Sequence, residues 1–197
     1  MKTSHRGTTL IEAILSLTLL NLLMAFMFFV YRLGASAWQS GQADTQLAQT
    51  VQSVVDRISR EASRSSIESL SFEPQAPDVA SIIAFLSPID QTTNSPSYDP
   101  VTLLPLWHSH FVCYYDQGNK ELRWKKVPVA LPSIEATPLN SLNSQRSDGA
   151  LLAEEISACE FFVIGDSLDL TITAERQRYG SSKPDQIKLH STVFFRN

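Results

Sequence analysis

The sequence predicts an α+β fold in which a long N-terminal helix packs on an antiparallel β-sheet. A run of 19 uncharged residues, Ala13–Tyr31, is followed by apolar positions at helical spacing to about Ser65. Beyond Ser65, short apolar runs alternate with Pro, Ser, Asn and Gly, which is typical of strands joined by turns. A chain of 197 residues with 43% hydrophobic content can bury one respectable core.

The uncharged run is long enough to cross a membrane. At helical rise its 19 residues would extend about 28 Å, close to the thickness of the hydrocarbon core of a bilayer. A secretory signal peptide is the alternative, but its apolar region is normally about 7–15 residues long and ends at a small-x-small cleavage site. Because the helical pattern continues past the run through Trp38 and Leu47, we expect a retained membrane helix.

The charge distribution predicts how this helix is oriented. Lys2 and Arg6 precede the apolar run, whereas the chain from Thr8 onward has 14 basic and 20 acidic residues, a net charge of −6. The positive-inside rule then leaves the N-terminus in the cytoplasm and the larger C-terminal part in the periplasm or outside the cell. The acidic balance argues against a nucleic-acid partner.

The second half of the helix is amphipathic. Its apolar residues recur at steps of three and four, which places them on one face: Leu47, Val51, Val54, Val55, Ile58 and Ala62. The whole helix would have roughly 55 residues and extend about 80 Å. Its first half, apolar all round, leaves a surface that a monomer can cover only with lipid and a filament can cover with neighbouring helices.

The remainder of the chain contains six predicted strands joined by turns and loops. The strands are 82–86, 110–115, 122–127, 160–164, 168–173 and 187–195. Residues 116–119, which read Asp-Gln-Gly-Asn, predict a hairpin turn. Residues 87–105 and 128–148 are rich in Pro, Ser, Asn and Thr, and we expect two long surface loops there.

The start of the helix resembles the class III signal of type IV prepilins. The chain reads Arg6-Gly7-Thr8-Thr9-Leu10-Ile11-Glu12 directly before the apolar run. The resemblance implies cleavage between Gly7 and Thr8 by a prepilin peptidase, possible N-methylation of Thr8, and retention of Glu12 as an assembly residue. Thr8 stands where phenylalanine is usual in that family. The predicted domains are then a leader (1–7), a transmembrane and assembly helix (8–34) and a pilin-like globular domain (35–197).

Glu12 also attracts attention on physical grounds. A carboxylate one turn inside an apolar helix costs a few kcal/mol in hydrocarbon, so it calls for a partner. The apt partner is the α-ammonium that leader removal would expose on Thr8, in the same chain or in a neighbour. The alternative is a carboxylate at the membrane surface, favoured by the helix dipole and solvated by headgroups.

Looser similarities lie in the C-terminal part. Residues 112–116, 121–124, 151–156 and 191–197 resemble the layout of J-type pseudopilins and W-type minor pilins. This resemblance implies a minor pilin or pseudopilin in the initiation, tip or priming complex of a type IV pilus or type II secretion filament. The implied partners are other minor pilins or pseudopilins, the major pilin, the prepilin peptidase, the inner-membrane assembly platform and the lipid bilayer. The implied localisation is the bacterial inner membrane and then the filament. The resemblance implies no catalytic role, cofactor or metal.

Two patterns allow a rival, enzymatic interpretation. Gly165-Asp166-Ser167-Leu168 matches the GDSL esterase and lipase motif, which would make the chain a periplasmic hydrolase tethered by its helix. The partners that Ser167 would need are missing, because only His190 follows it and Asp185 lies five positions before that histidine. A turn between two strands is therefore the favoured interpretation.

His108, His110 and Cys113 suggest metal ligands, since His-x-His on a strand points both rings to one face. No fourth ligand is evident nearby in the sequence, so ordinary hydrogen-bonded histidines are the favoured interpretation.

The chain has two cysteines, Cys113 and Cys159, and both are expected outside the cytoplasm, where disulfides persist. A bridge between them would close a loop of some 45 residues and stabilise the fold by roughly 3–4 kcal/mol in the chain-entropy model. Two free buried thiols are the alternative, and the sequence leaves both open.

Overall fold

A computed structural model describes residues 9–73, 81–90, 92–177 and 184–195. It begins with a single helix, α1 (Leu10–Ala62), of 53 residues. The helix ends three residues before the predicted Ser65, at a point where Ser66 starts a short 3₁₀ helix (Ile67–Ser69) by accepting a hydrogen bond from the Glu68 amide. The predicted long N-terminal helix is thus confirmed over the described residues.

Eight strands follow α1 in the described part of the chain, and they account for all six predicted strands. They are β1 (Ser71–Glu73), β2 (Ile82–Ser87), β3 (Trp107–Asp116), β4 (Glu121–Ser133), β5 (Ala150–Ala153), β6 (Ile156–Ile164), β7 (Ser167–Arg176) and β8 (Asp185–Phe194). The two that the sequence analysis missed, β1 and β5, are only three and four residues long. Strands this short have too few residues to establish a period of two.

The strands form two antiparallel sheets and not the single sheet that the sequence predicts. The larger has the order β1-β2-β3-β4-β5, and the smaller has the order β6-β7-β8. Neighbours along the chain are also neighbours in each sheet, and short turns connect β3 to β4 and β6 to β7. The chain therefore has the α+β architecture expected from its sequence, with its described strands divided between two sheets.

The chain divides into two compact units, residues 1–45 and 46–197. The second unit starts within α1, just before Leu47, the first buried residue of the helix. The predicted division after residue 34 lies about three helical turns earlier in the chain. Burial along the helix accounts for the later position, because residues 35–45 contribute no side chain to the core.

The core of the second unit lies between the C-terminal part of α1 and both sheets. All six apolar residues predicted to share a helix face are buried there. They pack against Phe85 and Phe111 of the large sheet and against Leu170 and Ile172 of the small sheet. A smaller cluster covers the opposite face of the large sheet, where Ile82, Val112 and Leu142 are among its members. Both faces of β2 are thus covered, which explains why all its residues are buried.

An aromatic row lies beneath the helix and is covered by a helix cation. Trp124 stacks on Phe111 with ring centroids 5.5 Å apart, and Phe111 stacks on Phe85 at 5.3 Å. The guanidinium carbon of Arg57, on α1, lies 3.8 Å from the centroid of the Trp124 ring. This cation–π contact joins the exposed side of the helix to the edge of the aromatic row.

The predicted hairpin turn is confirmed, and the predicted loops are corrected in part. Asp116 ends β3, and its carboxylate accepts hydrogen bonds from the amides of Gly118 and Asn119. The first loop agrees well with prediction, since β2 ends at Ser87 and β3 begins at Trp107. The second begins later than predicted, because β4 continues to Ser133 and includes Pro128 and Pro132. Both prolines lie on a stretch of β4 that β5 does not pair, where a missing N–H is tolerated.

Candidate functional site

The first unit presents an apolar surface around the whole circumference of α1. Every large apolar side chain from Leu10 to Leu33 is at least 50% exposed. The most apolar 18-residue window has a mean hydropathy of 2.3, and none of it is buried. By length and composition this part of the chain can cross a membrane, as the sequence predicts. Such a surface is stable only against lipid or other apolar helices.

Glu12 lies at the start of this surface and closes the first turn of the helix. Thr9 is the residue before the helix, and its backbone N–H donates to Glu12 Oε2 over 3.0 Å. In return the Glu12 amide donates to Thr9 Oγ1 over 3.3 Å. The Thr9 hydroxyl lies 3.4 Å from the same carboxylate oxygen and donates to it. Thr9 and Glu12 therefore form a capping box, which satisfies two amides that no helical carbonyl can reach.

The capping box gives Glu12 a local role that the sequence analysis did not recognise. The signal was present in the sequence, because Thr9-x-x-Glu12 before an apolar run is the capping-box pattern. With these local hydrogen bonds, Glu12 corresponds more closely to the membrane-surface alternative than to an isolated buried charge. They leave room for a further partner, since both use Oε2 and a carboxylate has about four acceptor positions.

The two predicted processing residues, Gly7 and Thr8, lie outside the described residues. The cleavage position and the methylation of Thr8 therefore stay predictions from the resemblance.

Of the two arrangements that the sequence leaves open, the structure has the one without a bridge, with Cys113 and Cys159 as free thiols. They lie in different sheets, on β3 and β6, and both are buried in the core that α1 covers. Burial raises the pKa of both thiols, which keeps them protonated. The structure thus has the alternative of two buried thiols, packed as small apolar side chains.

The two histidines of β3, His108 and His110, do not form one group of potential metal ligands with Cys113. Positions 110 and 113 are an odd number apart on one strand, so their side chains point to opposite faces of the sheet. Cys113 faces the core under α1, whereas its neighbours Val112 and Tyr114 belong to the cluster on the other face. Burial lowers the pKa of His110. Among the described residues, no group of three or more potential ligands could hold a metal ion.

Ser167 lies in a tight turn and not in a catalytic arrangement. Ile164 and Ser167 are paired, which leaves a two-residue loop of Gly165 and Asp166 between β6 and β7. Gly165 has φ +59°, a conformation that glycine adopts at little cost in such hairpins. The Ser167 hydroxyl donates to the Ile164 carbonyl over 2.9 Å.

The histidine that a Ser167 nucleophile would need is engaged elsewhere. His190 is paired with Thr171 across β7 and β8, and its Nδ1 shares a 3.1 Å hydrogen bond with the Thr171 hydroxyl. Thr171 lies four residues from Ser167 on the same strand, or about 13 Å at strand rise. The GDSL string is therefore a turn sequence, as favoured above.

The fold and the site together define a chain with one long N-terminal helix, apolar enough to span a membrane, whose far end packs on antiparallel sheets. This architecture is compatible with a pilin-like fold. Comparisons with protein-family models, with curated proteins and with solved structures found no match to this chain.

Proposed function

We propose that this chain is a filament subunit of the type IV pilin-like class, a minor pilin or pseudopilin. The observation that carries the proposal is the first part of α1, which is apolar all round and begins with a capped carboxylate. In the proposed cycle, a prepilin peptidase removes residues 1–7, and the mature chain waits in the inner membrane. Assembly then moves α1 from lipid into a bundle with the helices of other subunits.

The chemistry of the helix surface supports a specific role for Glu12 in this cycle. Lipid tails are as apolar as leucine side chains, so the hydrophobic effect does not favour helix–helix contacts over lipid contacts. Association in that environment depends on close packing and on polar pairs. Glu12 is the one acidic residue between Leu10 and Gly41. A carboxylate at this position can fix the register between neighbouring helices by pairing with an α-ammonium.

The capping box is compatible with this pairing. The bonds with Thr9 use one carboxylate oxygen, Oε2. They also hold the carboxylate beside the first turn of the helix, next to the chain terminus that cleavage would create. Glu12 would thus cap its own helix in the membrane and accept one more charged hydrogen bond in the filament. Its proposed partners are other minor pilins or pseudopilins and the major pilin.

Three variants separate the charge of Glu12 from its capping role. Glu12→Gln retains the capping pattern and removes the charge, because glutamine also serves at this position of a capping box. Thr9→Ala retains the charge and removes the hydroxyl. Glu12→Ala removes both functions of the side chain. Each variant is expressed in cells that assemble the filament, and its level in sheared filaments is compared with its level in the membrane.

If Glu12 pairs with an ammonium, Glu12→Gln and Glu12→Ala lose incorporation to a similar extent, and Thr9→Ala loses much less. An unpaired ammonium in a buried bundle costs on the order of 3–5 kcal/mol, whereas loss of a cap costs about 0.5–2 kcal/mol. Insertion is unchanged or improved in the Glu12 variants, since a charge is removed from the span. Wild-type incorporation of Glu12→Gln would show that the carboxylate only caps the helix.

Processing is measured in the same samples. Mass spectrometry of the membrane-derived protein should find Thr8 at the N-terminus of the wild type and of all three variants. Retention of Met1 in cells with an active prepilin peptidase would contradict the class assignment itself.

A further inference from the structure

Two aromatic side chains lie on one face of α1 just beyond the uncharged run. Tyr31 and Trp38 are seven residues apart, which is close to two helical turns. Their side chains are 72% and 75% exposed, among the most exposed of the large apolar residues of α1. Between them on this face lie the small residues Gly34 and Ala35. A tryptophan this exposed needs surroundings that accept both an apolar ring and an N–H group.

The charges that flank the uncharged run set its depth in a bilayer. Leu22 is the central residue of the run, and Glu12 and Arg32 are each ten residues from it. At helical rise, both charges lie about 15 Å from the midplane when Leu22 is at the centre. That distance is the half-thickness of the hydrocarbon core, so Glu12 and Arg32 lie at its two opposite boundaries.

This register places Trp38 in the headgroup layer. Its Cα lies about 24 Å from the midplane, or slightly less when the helix tilts. Helical side chains point back toward the N-terminus, so the indole extends from there toward the hydrocarbon. The headgroup regions end about 20–22 Å from the midplane, and the ring therefore lies within them. Tryptophan and tyrosine are enriched in this layer because one end of each ring system is apolar and the other is polar.

We propose that Trp38, together with Tyr31 and Arg32, forms an interfacial anchor that binds the headgroup and ester region of the outer leaflet. The anchor fixes how deeply α1 sits before assembly. It depends on α1 spanning the bilayer and is independent of the filament role, so either proposal can fail without the other. The rival occupant of this face is an α1 helix of a second copy.

Depth-dependent fluorescence quenching tests the anchor in the full chain. The protein is reconstituted in vesicles of phosphatidylethanolamine and phosphatidylglycerol that contain phospholipids brominated either near the ester end or near the chain end. The chain has three tryptophans, and Trp107 and Trp124 lie in the second unit. Subtracting the signal of Trp38→Phe, measured in the same vesicles, isolates Trp38. We expect a blue-shifted Trp38 emission and a larger loss of it with the shallow bromines than with the deep ones.

Two variants in the Trp38→Phe background calibrate the depth scale. Phe28→Trp places the probe about 9 Å from the midplane, so the deep bromines should quench it more. Gln42→Trp lies one turn beyond Trp38, about 30 Å from the midplane, and should have water-like emission without quenching. The order of depth between the three positions is the expected result.

Three outcomes would overturn the anchor. Unquenched, water-like emission from Trp38 beside a quenched Phe28→Trp would place residue 38 in water. Unquenched but blue-shifted emission that reverts when the vesicles are diluted with lipid would assign this face to a second copy. Absence of quenching at Phe28→Trp as well would show that α1 does not span the bilayer in the proposed register.

Discussion

The two parts of α1 share one helical backbone and differ in what their side chains require. In the first part, Leu10 to Leu33, apolar residues occupy every face and are exposed. In the second part, Gln46 to Ala62, six apolar residues occupy one face and are buried. A helix apolar on all sides has no preferred face toward its own protein, whereas an amphipathic helix has one. One helix can therefore have an exposed apolar surface in its first part and a buried face in its second part, because its apolar residues change from a continuous run to a periodic pattern.

The largest expected difference is in how strongly a substitution in each part of α1 lowers the free energy of unfolding of the second unit. Ile58→Ala removes a fully buried side chain from the core and should lower the free energy of unfolding by about 2–5 kcal/mol. Ile14→Ala is the same change at a residue that is 56% exposed, and it should change that free energy by less than about 0.5 kcal/mol. Urea unfolding in detergent, followed by the emission of Trp107 and Trp124 in the second unit, measures both. Equal losses would show that the two parts of α1 depend on one core.

A smaller effect is expected from the cation that covers the aromatic row. Arg57→Ala removes the guanidinium over Trp124 and should cost about 1 kcal/mol, within the usual range for a partly exposed cation–π pair. Arg60→Ala, three residues on, is the matched control, because the Arg60 guanidinium donates to the Asp56 carbonyl of its own helix. The urea midpoint measures stability, and a change in Trp124 emission should accompany the loss in Arg57→Ala. A loss of the same size in Arg60→Ala would assign the effect to net charge.

A gain in stability of similar size is expected at a glycine between the two parts. Gly41 lies inside α1, and a Cβ added there would meet nothing within 4 Å. Gly41→Ala should therefore stabilise the local helix by about 1 kcal/mol, through helix propensity alone. Amide hydrogen exchange of residues 38–45 should slow by on the order of fivefold.

The opposite sign is expected at the turn glycine. Gly165→Ala introduces a side chain at φ +59° and should destabilise the second unit by about 1 kcal/mol or slightly more. A slower unfolding or unchanged stability in Gly165→Ala would contradict the strain attributed to that turn.

For the helix glycine, faster amide hydrogen exchange in Gly41→Ala would indicate that the glycine is needed for the helix.

The elements with local signals could be predicted from the residues alone. The uncharged run, the three-and-four spacing from Leu47 to Ala62 and the Asp-Gln-Gly-Asn turn each depend on residues close together in the chain, and the structure contains all three. Glu12 was also found from the sequence, as a carboxylate in an apolar helix. The sequence analysis did not include the capping role of Thr9, although the Thr-x-x-Glu spacing is an equally local signal. Gly7 and Thr8 remain predictions from a resemblance.

The way in which these elements combine could not be predicted from the residues alone. The strand signals could not say that β6, β7 and β8 form a sheet of their own, because alternation fixes which side chains share a face but not which strands are neighbours. The same limit applies to Cys113 and Cys159, whose burial in one core depends on two sheets packing under α1. It applies to β1 and β5 as well, which are strands because β2 and β4 offer them free edges. A local sequence pattern shows that a segment forms a strand or a helix, but it carries no information about which other segment packs against it. Those contacts depend on how all the surfaces of the fold pack together.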